Sequence, residues 1–334
     1  MRTLRMTAVA AVAAAGLLLT ACSGGGGSLS GETSAPDADS SGSGELIPVT
    51  VGLLPIAAAA AVQMGIDAGA FEEQGLDVTV QIGQGGAALL PAVANGDIQF
   101  AVGNPLSVLV AASQGLEMNI IAGYSSVDVP ADKLPTGVLV KSDSGITTWK
   151  DLEGKKVAVN AFNTQGDLSI MGSVEQDGGD PTAVEFTEIA FPDQLAQLEQ
   201  GNIDAAWVPE PFVGAGLATE GVELLGEPMG NVIPGLSSMV TFTSAAYAAE
   251  NPEIVEKFRA GIAASTDMAM ADTDAYRDVI VSYTKMPADV VANINLEKLS
   301  ADLDPSIIED LTTLALKYEF LGSEPDLKKV LVLE

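Results

Sequence analysis

The sequence predicts a two-lobed α/β protein in which each lobe is a doubly wound sheet flanked by helices and two crossover segments join the lobes. Three observations predict it. From Glu45 onward about 290 residues follow, too many for one compact core. Within them, short β-rich runs alternate with helical stretches of about ten residues, the pattern of a sheet with parallel strands. The alternation also stops and restarts near Pro135, which divides the chain into successive α/β units.

The first lobe starts at 45–135. Strands are expected at 49–54, 77–82, 98–102 and 119–123, with helices at 58–68, 87–95 and 106–113. The second lobe, 136–236, reads as strands at 138–141, 156–159, 184–187, 204–208 and 222–225, with helices at 167–177, 193–199 and 211–218 between them. After Pro234 comes one more strand, 238–243, and then mainly helices to the end. One strand cannot build a third sheet, so segment 237–334 is expected to pack back on the first lobe. The chain then crosses between lobes near residues 135 and 236.

The start of the chain suggests a compartment. Arg2 and Arg5 precede an apolar run at 6–19, and Leu19-Thr20-Ala21 leads into Cys22, the only cysteine. Residues 1–21 therefore read as a lipoprotein signal peptide, with Cys22 as the residue lipidated after cleavage. The apolar run is about 14 residues, short of the roughly 20 that span a bilayer as a helix. An ordinary secretory signal with an incidental cysteine is the alternative. Residues 22–44 are almost all Gly, Ser, Ala, Thr, Pro and acids, with Leu29 the single large apolar side chain, and read as a flexible tether. The expected location is the extracytoplasmic face of the cell membrane, reached through lipid on Cys22.

Charge narrows the partners. With 45 acidic and 15 basic residues the formal charge is −30, a field that repels nucleic acid and anionic headgroups. There is no histidine, which removes the commonest general base and the commonest metal ligand. With no cysteine beyond Cys22, zinc is not expected either, and neither is any other metal or cofactor.

Ligands of open α/β sheets sit beyond the carboxyl ends of the strands, where loops meet helix N-termini, so the cleft between the lobes is the expected site. Asn104-Pro105 follows a strand as N-cap and first helical residue, with Ser107 in the first turn. Thr164-Gln165-Gly166-Asp167 has capping-box spacing after the strand that ends before Asn160. Phe191-Pro192 and Glu210-Pro211 place proline at further helix starts. Such N-termini present unpaired N–H groups to a polar or anionic solute, and Gly85-Gly86 allows close backbone approach. The candidate ligand-binding set is Pro55, Ile56, Gly85, Gly86, Asn104, Ser107, Tyr124, Asn160, Thr164, Gln165, Phe191 and Glu210. Tyr124 and Phe191 are expected as cleft walls, and Trp207, inside a buried strand, as core. Glu210 is either a helix cap or the partner of a ligand amine.

These residues also carry a family resemblance. Val51-Gly52-Leu53-Leu54-Pro55, Gly69-Ala70-Phe71-Glu72-Glu73-Gln74-Gly75-Leu76-Asp77-Val78, and the run from Gly85-Gly86 through Leu90, Ala94 and Asn95-Gly96-Asp97-Ile98 to Gly103 resemble the first lobe of the nitrate, sulfonate and taurine-binding proteins. Asp151-Leu152-Glu153-Gly154-Lys155-Lys156-Val157-Ala158-Val159, Leu198-Glu199-Gln200-Gly201-Asn202-Ile203-Asp204-Ala205 and Glu210-Pro211 resemble their second lobe, a group that also includes binders of thiamine precursors. The resemblance implies a type II periplasmic-binding fold whose lobes close on a small-molecule solute. It further implies a monomer serving the permease and ATPase of an ABC importer, with no catalysis of its own. A sulfonate or taurine-like solute is the first expectation, with a pyrimidine or other heteroaromatic solute as the alternative. An enzyme of pyrimidine synthesis on a related scaffold would need a reactive cofactor or metal site. One departure bears on the ligand: no arginine lies between Arg5 and Arg259, so a guanidinium clamp for nitrate or sulfonate is missing from most of the chain. A neutral or zwitterionic solute stays open on these grounds.

Overall fold

The structure is a computed structural model that describes residues 45–83 and 85–333. The expected signal peptide, Cys22 and the expected tether lie outside the described residues.

Eleven strands form two sheets among the described residues. They are β1 (Ile47–Leu53), β2 (Leu76–Ile82), β3 (Phe100–Gly103), β4 (Met118–Ser126), β5 (Thr136–Lys141), β6 (Lys156–Val159), β7 (Glu185–Glu188), β8 (Ala205–Pro209), β9 (Val222–Gly226), β10 (Ser237–Ser244) and β11 (Lys298–Leu299). One sheet runs β11-β4-β10-β3-β1-β2 and the other β7-β6-β8-β5-β9, so the chain builds the lobes expected of it. It leaves the first sheet after Ser126, enters the second at Thr136, leaves after Gly226 and returns at Ser237.

Central strands are buried almost throughout because both faces are covered by helices, and β3 and β8 are also apolar at every position. β3 and β8 are buried at every residue, whereas the edge strand β2 buries Leu76, half-buries Val78 and Val80, and exposes Asp77 and Thr79 between them. The sheets are mixed rather than all parallel. β1 pairs in parallel with β2 and β3, and β6 with β7 and β8, but β10 runs antiparallel to β3 and β4, and β5 antiparallel to β8 and β9. The exceptions are β5 and β10, the two strands that follow a crossing, and the two-residue β11, which runs antiparallel to β4. In a βαβ unit the helix carries the chain back to the starting end of the sheet. A crossing segment has no such helix, so the next strand starts at the cleft and runs away from it.

The tail after β10 packs on the first lobe. Helix Pro252–Ala271 lies along helix Ala60–Asp67, where a Cβ on Gly65 would sit 1.8 Å from Ser265 Oγ, so only glycine permits the approach. Phe258 stacks on Phe100 at 3.8 Å between centroids and meets Phe71 at 5.4 Å. The tail also contributes β11, a pairing with β4 that sequence reading does not anticipate.

Candidate functional site

A narrow cavity of about 40 Å³ lies between the lobes. The first lobe supplies Leu54, Ile56, Asn104, Ser238, Met239 and Glu297, and the second supplies Thr136, Asn160, Thr164, Gln165, Phe191, Trp207, Pro209 and Met229. A wider depression, about 480 Å³, lies beside Met118 and Lys329, but its walls come from the first lobe alone, so lobe motion would not close it.

Local sequence explains several of the walls. Asn104 is an N-cap in extended backbone whose Oδ1 accepts from Ser107 N at 2.8 Å, with Pro105 as first helical residue. Thr164 and Asp167 form the expected capping box, Thr164 N donating to Asp167 Oδ1 at 2.8 Å, which starts helix Gln165–Gln176 at the cavity. Phe191 and Trp207 form a tilted aromatic pair 5.7 Å apart. Gly166 lies under the indole: a Cβ there would come within 2.6 Å of Trp207 Cε3, so the wall needs glycine at that position.

The lobes are in contact across the cleft. Ala57 N donates to Glu210 O at 2.9 Å, and Gln165 Nε2 donates to Ser237 O at 2.7 Å. On the periphery Lys317 and the Tyr318 hydroxyl both reach the Glu175 carboxylate. These bonds mark a closed arrangement.

Six of the twelve expected residues line the cavity: Ile56, Asn104, Asn160, Thr164, Gln165 and Phe191. The structure places the others elsewhere. Pro55 lies beside the lining residues Leu54 and Ile56 but not among them. Gly85 meets the second lobe, where a Cβ would come 2.9 Å from Asn160 Nδ2, and Gly86 opens the helix Gly86–Ala94 beside it. Ser107 is buried behind the Asn104 cap. Tyr124, expected as a wall, is a fully buried core residue of β4 whose hydroxyl donates to Ala58 O at 2.7 Å, a bond that turns it away from solute. Conversely Trp207, expected as core, is a wall.

Glu210 is also outside the lining. Its Oε2 accepts from Gly214 N at 2.8 Å and its Oε1 from Asn295 N of the first lobe at 3.1 Å, so it caps its helix and ties the lobes together. Burial pushes its carboxyl up to about 7 against the opposing pull of those two N–H groups and of Arg277.

The glutamate in the cavity is Glu297, from the irregular segment before β11. It is 8 % exposed and accepts from the Ser238 hydroxyl, with Ser125 beside it. Burial raises its carboxyl pKa, those hydroxyls oppose the rise, and nearby Glu227 adds to it. No lysine or arginine is among the lining residues. Two buried polar atoms in the lining have no hydrogen-bond partner in the protein: Gln165 Oε1, an acceptor, and Trp207 Nε1, a donor. An orphaned group in such a place costs about 1 to 3 kcal/mol, which a complementary solute would recover. Leu54, Thr136, Trp207, Pro209, Met229, Ser238, Met239 and Glu297 are the lining residues that sequence reading missed. Thr136 and Ser238 were within reach, since each stands at the start of a strand that follows a crossing. Among the described residues no group of three or more acidic or cysteine side chains is placed to hold a metal ion.

Known proteins share this arrangement. An alkanesulfonate-binding protein, SsuA, from Xanthomonas axonopodis pv. citri, solved bound to MOPS, superposes with a TM-score of 0.73 at 17% identity, covering 86% of this chain and 99% of that one. That likeness shows the fold, a type II periplasmic-binding fold. In sequence, the taurine-binding periplasmic protein of Escherichia coli is 29% identical over 189 residues, 56% of each chain. A putative aliphatic sulfonates-binding protein of the same organism is 27% identical over 214 residues, 62% of each. The matches thus span somewhat over half the length of these relatives. The model of the family described as NMT1/THI5 like matches residues 58–275, which takes in most of both sheets and every lining residue of the cavity except Leu54, Ile56 and Glu297. The chain belongs to the NMT1/THI5-like family.

Proposed function

We propose that this chain is the extracytoplasmic solute-binding component of an ABC importer, anchored by lipid on Cys22, which captures a small sulfonate or taurine-like solute between its lobes and delivers it to the permease. The observation that carries this reading is the cavity itself. Its walls come from two lobes joined by two crossings, and it holds buried polar atoms with no partner among the described residues, which a complementary solute would satisfy. A solute touching both lobes binds the closed state better than the open one and shifts the population toward it. No catalytic step is proposed: the lining has no histidine or cysteine, and the family relatives named above are binding proteins. The tilted pair of Phe191 and Trp207 favours a second reading, a flat heteroaromatic solute such as a pyrimidine.

A thermal-shift screen over sulfonates, amino acids, pyrimidines and aromatic acids tests capture. A solute of the right class at 100 times its Kd is expected to add about 2.7 kcal/mol of stability. Small-angle scattering with that solute should show a smaller radius of gyration than without it; an unchanged radius would count against closure. For the anchor, Cys22→Ala is expected to release the protein from membranes with solute binding intact. Retention of the cleaved variant in the membrane fraction would refute the lipid site.

A further inference from the structure

Resting on the reading of the cavity as a solute site, we infer that the solute carries an ammonium or comparably donor-rich group and that Glu297 is the residue that receives it. The argument is one of unbalanced polarity. Glu297 is buried at the cavity wall, and the groups that bond to it are neutral hydroxyls, Ser238 and Ser125. A buried carboxylate is tolerated when a positive charge or several hydrogen bonds compensate it. A second buried carboxyl, Glu227, acts on Glu297 with the same sign: Glu227 accepts from Thr136 Oγ1 at 2.8 Å and from Met229 N at 2.8 Å, and Thr136 and Met229 are themselves cavity walls. The guanidinium of Arg277 is engaged elsewhere, donating to the carbonyls of Val291 at 2.6 Å and Ile294 at 3.0 Å. With no basic side chain among the lining residues, a solute that brings a donor to this wall supplies the positive partner that the protein does not.

The orphaned atoms agree with this. Gln165 Oε1 is an acceptor in need of a donor, which reinforces the demand made by Glu297, whereas Trp207 Nε1 and the N-terminus of helix Gln165–Gln176 ask for an acceptor. The complementary molecule donates at one end and accepts at the other. A zwitterion satisfies both ends, and a plain alkanesulfonate satisfies only one while placing its charge in a cavity with a carboxylate. Glu297 thus selects, within the solutes such a cleft could take, those with an amine.

Matched pairs of probes test this by calorimetry on the full-length chain in detergent: taurine against ethanesulfonate, and 3-aminopropanesulfonate against propanesulfonate, with 2-phenylethylamine as an amine that has no sulfonate. The amino compounds are expected to bind about tenfold or more tightly than their partners, the range for hydrogen bonds to charged groups. Glu297→Gln should remove most of that advantage and leave the des-amino compounds unchanged or improved. Equal affinity within each pair, with the ratio unmoved by Glu297→Gln, overturns the role of Glu297 but leaves the cavity as a sulfonate site. Binding of 2-phenylethylamine alone, weakened by Glu297→Gln, keeps Glu297 and overturns the sulfonate reading. If no probe binds, both fall. Should Glu297→Gln fail to fold, the ratio within each pair for the unaltered chain still decides.

Discussion

Replacing Phe258 by Ala is expected to destabilise the protein by about 3 to 5 kcal/mol, the range for deleting a buried aromatic ring from a core that cannot collapse around the gap. The ring lies in the interior of the first lobe, fully buried, stacked on Phe100 with planes 3° apart and touching Phe71. Closing the gap would require helix Pro252–Ala271 to move toward β3. That helix is already at contact distance on the same face, where a Cβ on Gly261, one turn from Phe258, would lie 2.3 Å from Phe71 Cδ1. Urea denaturation reads the loss as a lower midpoint at an unchanged slope. Because Phe258 lies on no wall of the cavity, binding by the folded fraction should survive. A loss under 1 kcal/mol would mean the tail docks more loosely than its aromatic contacts indicate.

The second large effect is on pH. Glu210 has an ordinary carboxyl value of 4.5 and is raised to about 7 in the fold, chiefly by burial. The folded chain therefore holds this proton more tightly than the unfolded one. Its contribution to stability is complete below pH 4.5 and is lost as pH rises through 7. At about 1.4 kcal/mol for each pH unit between the two values, the loss is about 3 kcal/mol. Burial raises the carboxyls of Asp167, Glu227 and Glu297 as well, which pushes in the same direction. Urea unfolding is thus expected to show a chain more stable at pH 5 than at pH 8. Glu210→Gln, which cannot ionise, should flatten the upper part of that dependence. Stability that rises from pH 5 to pH 8 would show that Glu210 is not held as the structure places it.

The contrast between the two glutamates separates local from tertiary information. Glu210 drew attention in the sequence because it precedes a proline at a helix start, and the structure does find its carboxylate at that helix, on Gly214 N. What the sequence could not say is that its other oxygen would be taken by Asn295, 85 residues away, which leaves it as a tie between lobes. Glu297 had no local signal at all. It stands in an irregular segment between a short helix and a two-residue strand, and reaches the cavity only because β11 pairs with β4 next to β10.

By itself the sequence determined the features that depend on neighbours along the chain. Alternating short β-runs and helices set the two α/β lobes, and side-chain chemistry set the caps at Asn104 and Thr164, which meet at the cavity in the structure. Tertiary structure decided the direction of β5 and β10 and the face to which each buried strand turns its side chains. In β8 every residue is buried, and in β4 all but the last, so no polar alternation distinguishes the cavity side from the core side. For that reason Tyr124 and Trp207 could not be assigned from sequence: which face of a doubly covered strand meets the cleft is set by the layers packed on it, and those layers come from residues far away in the chain.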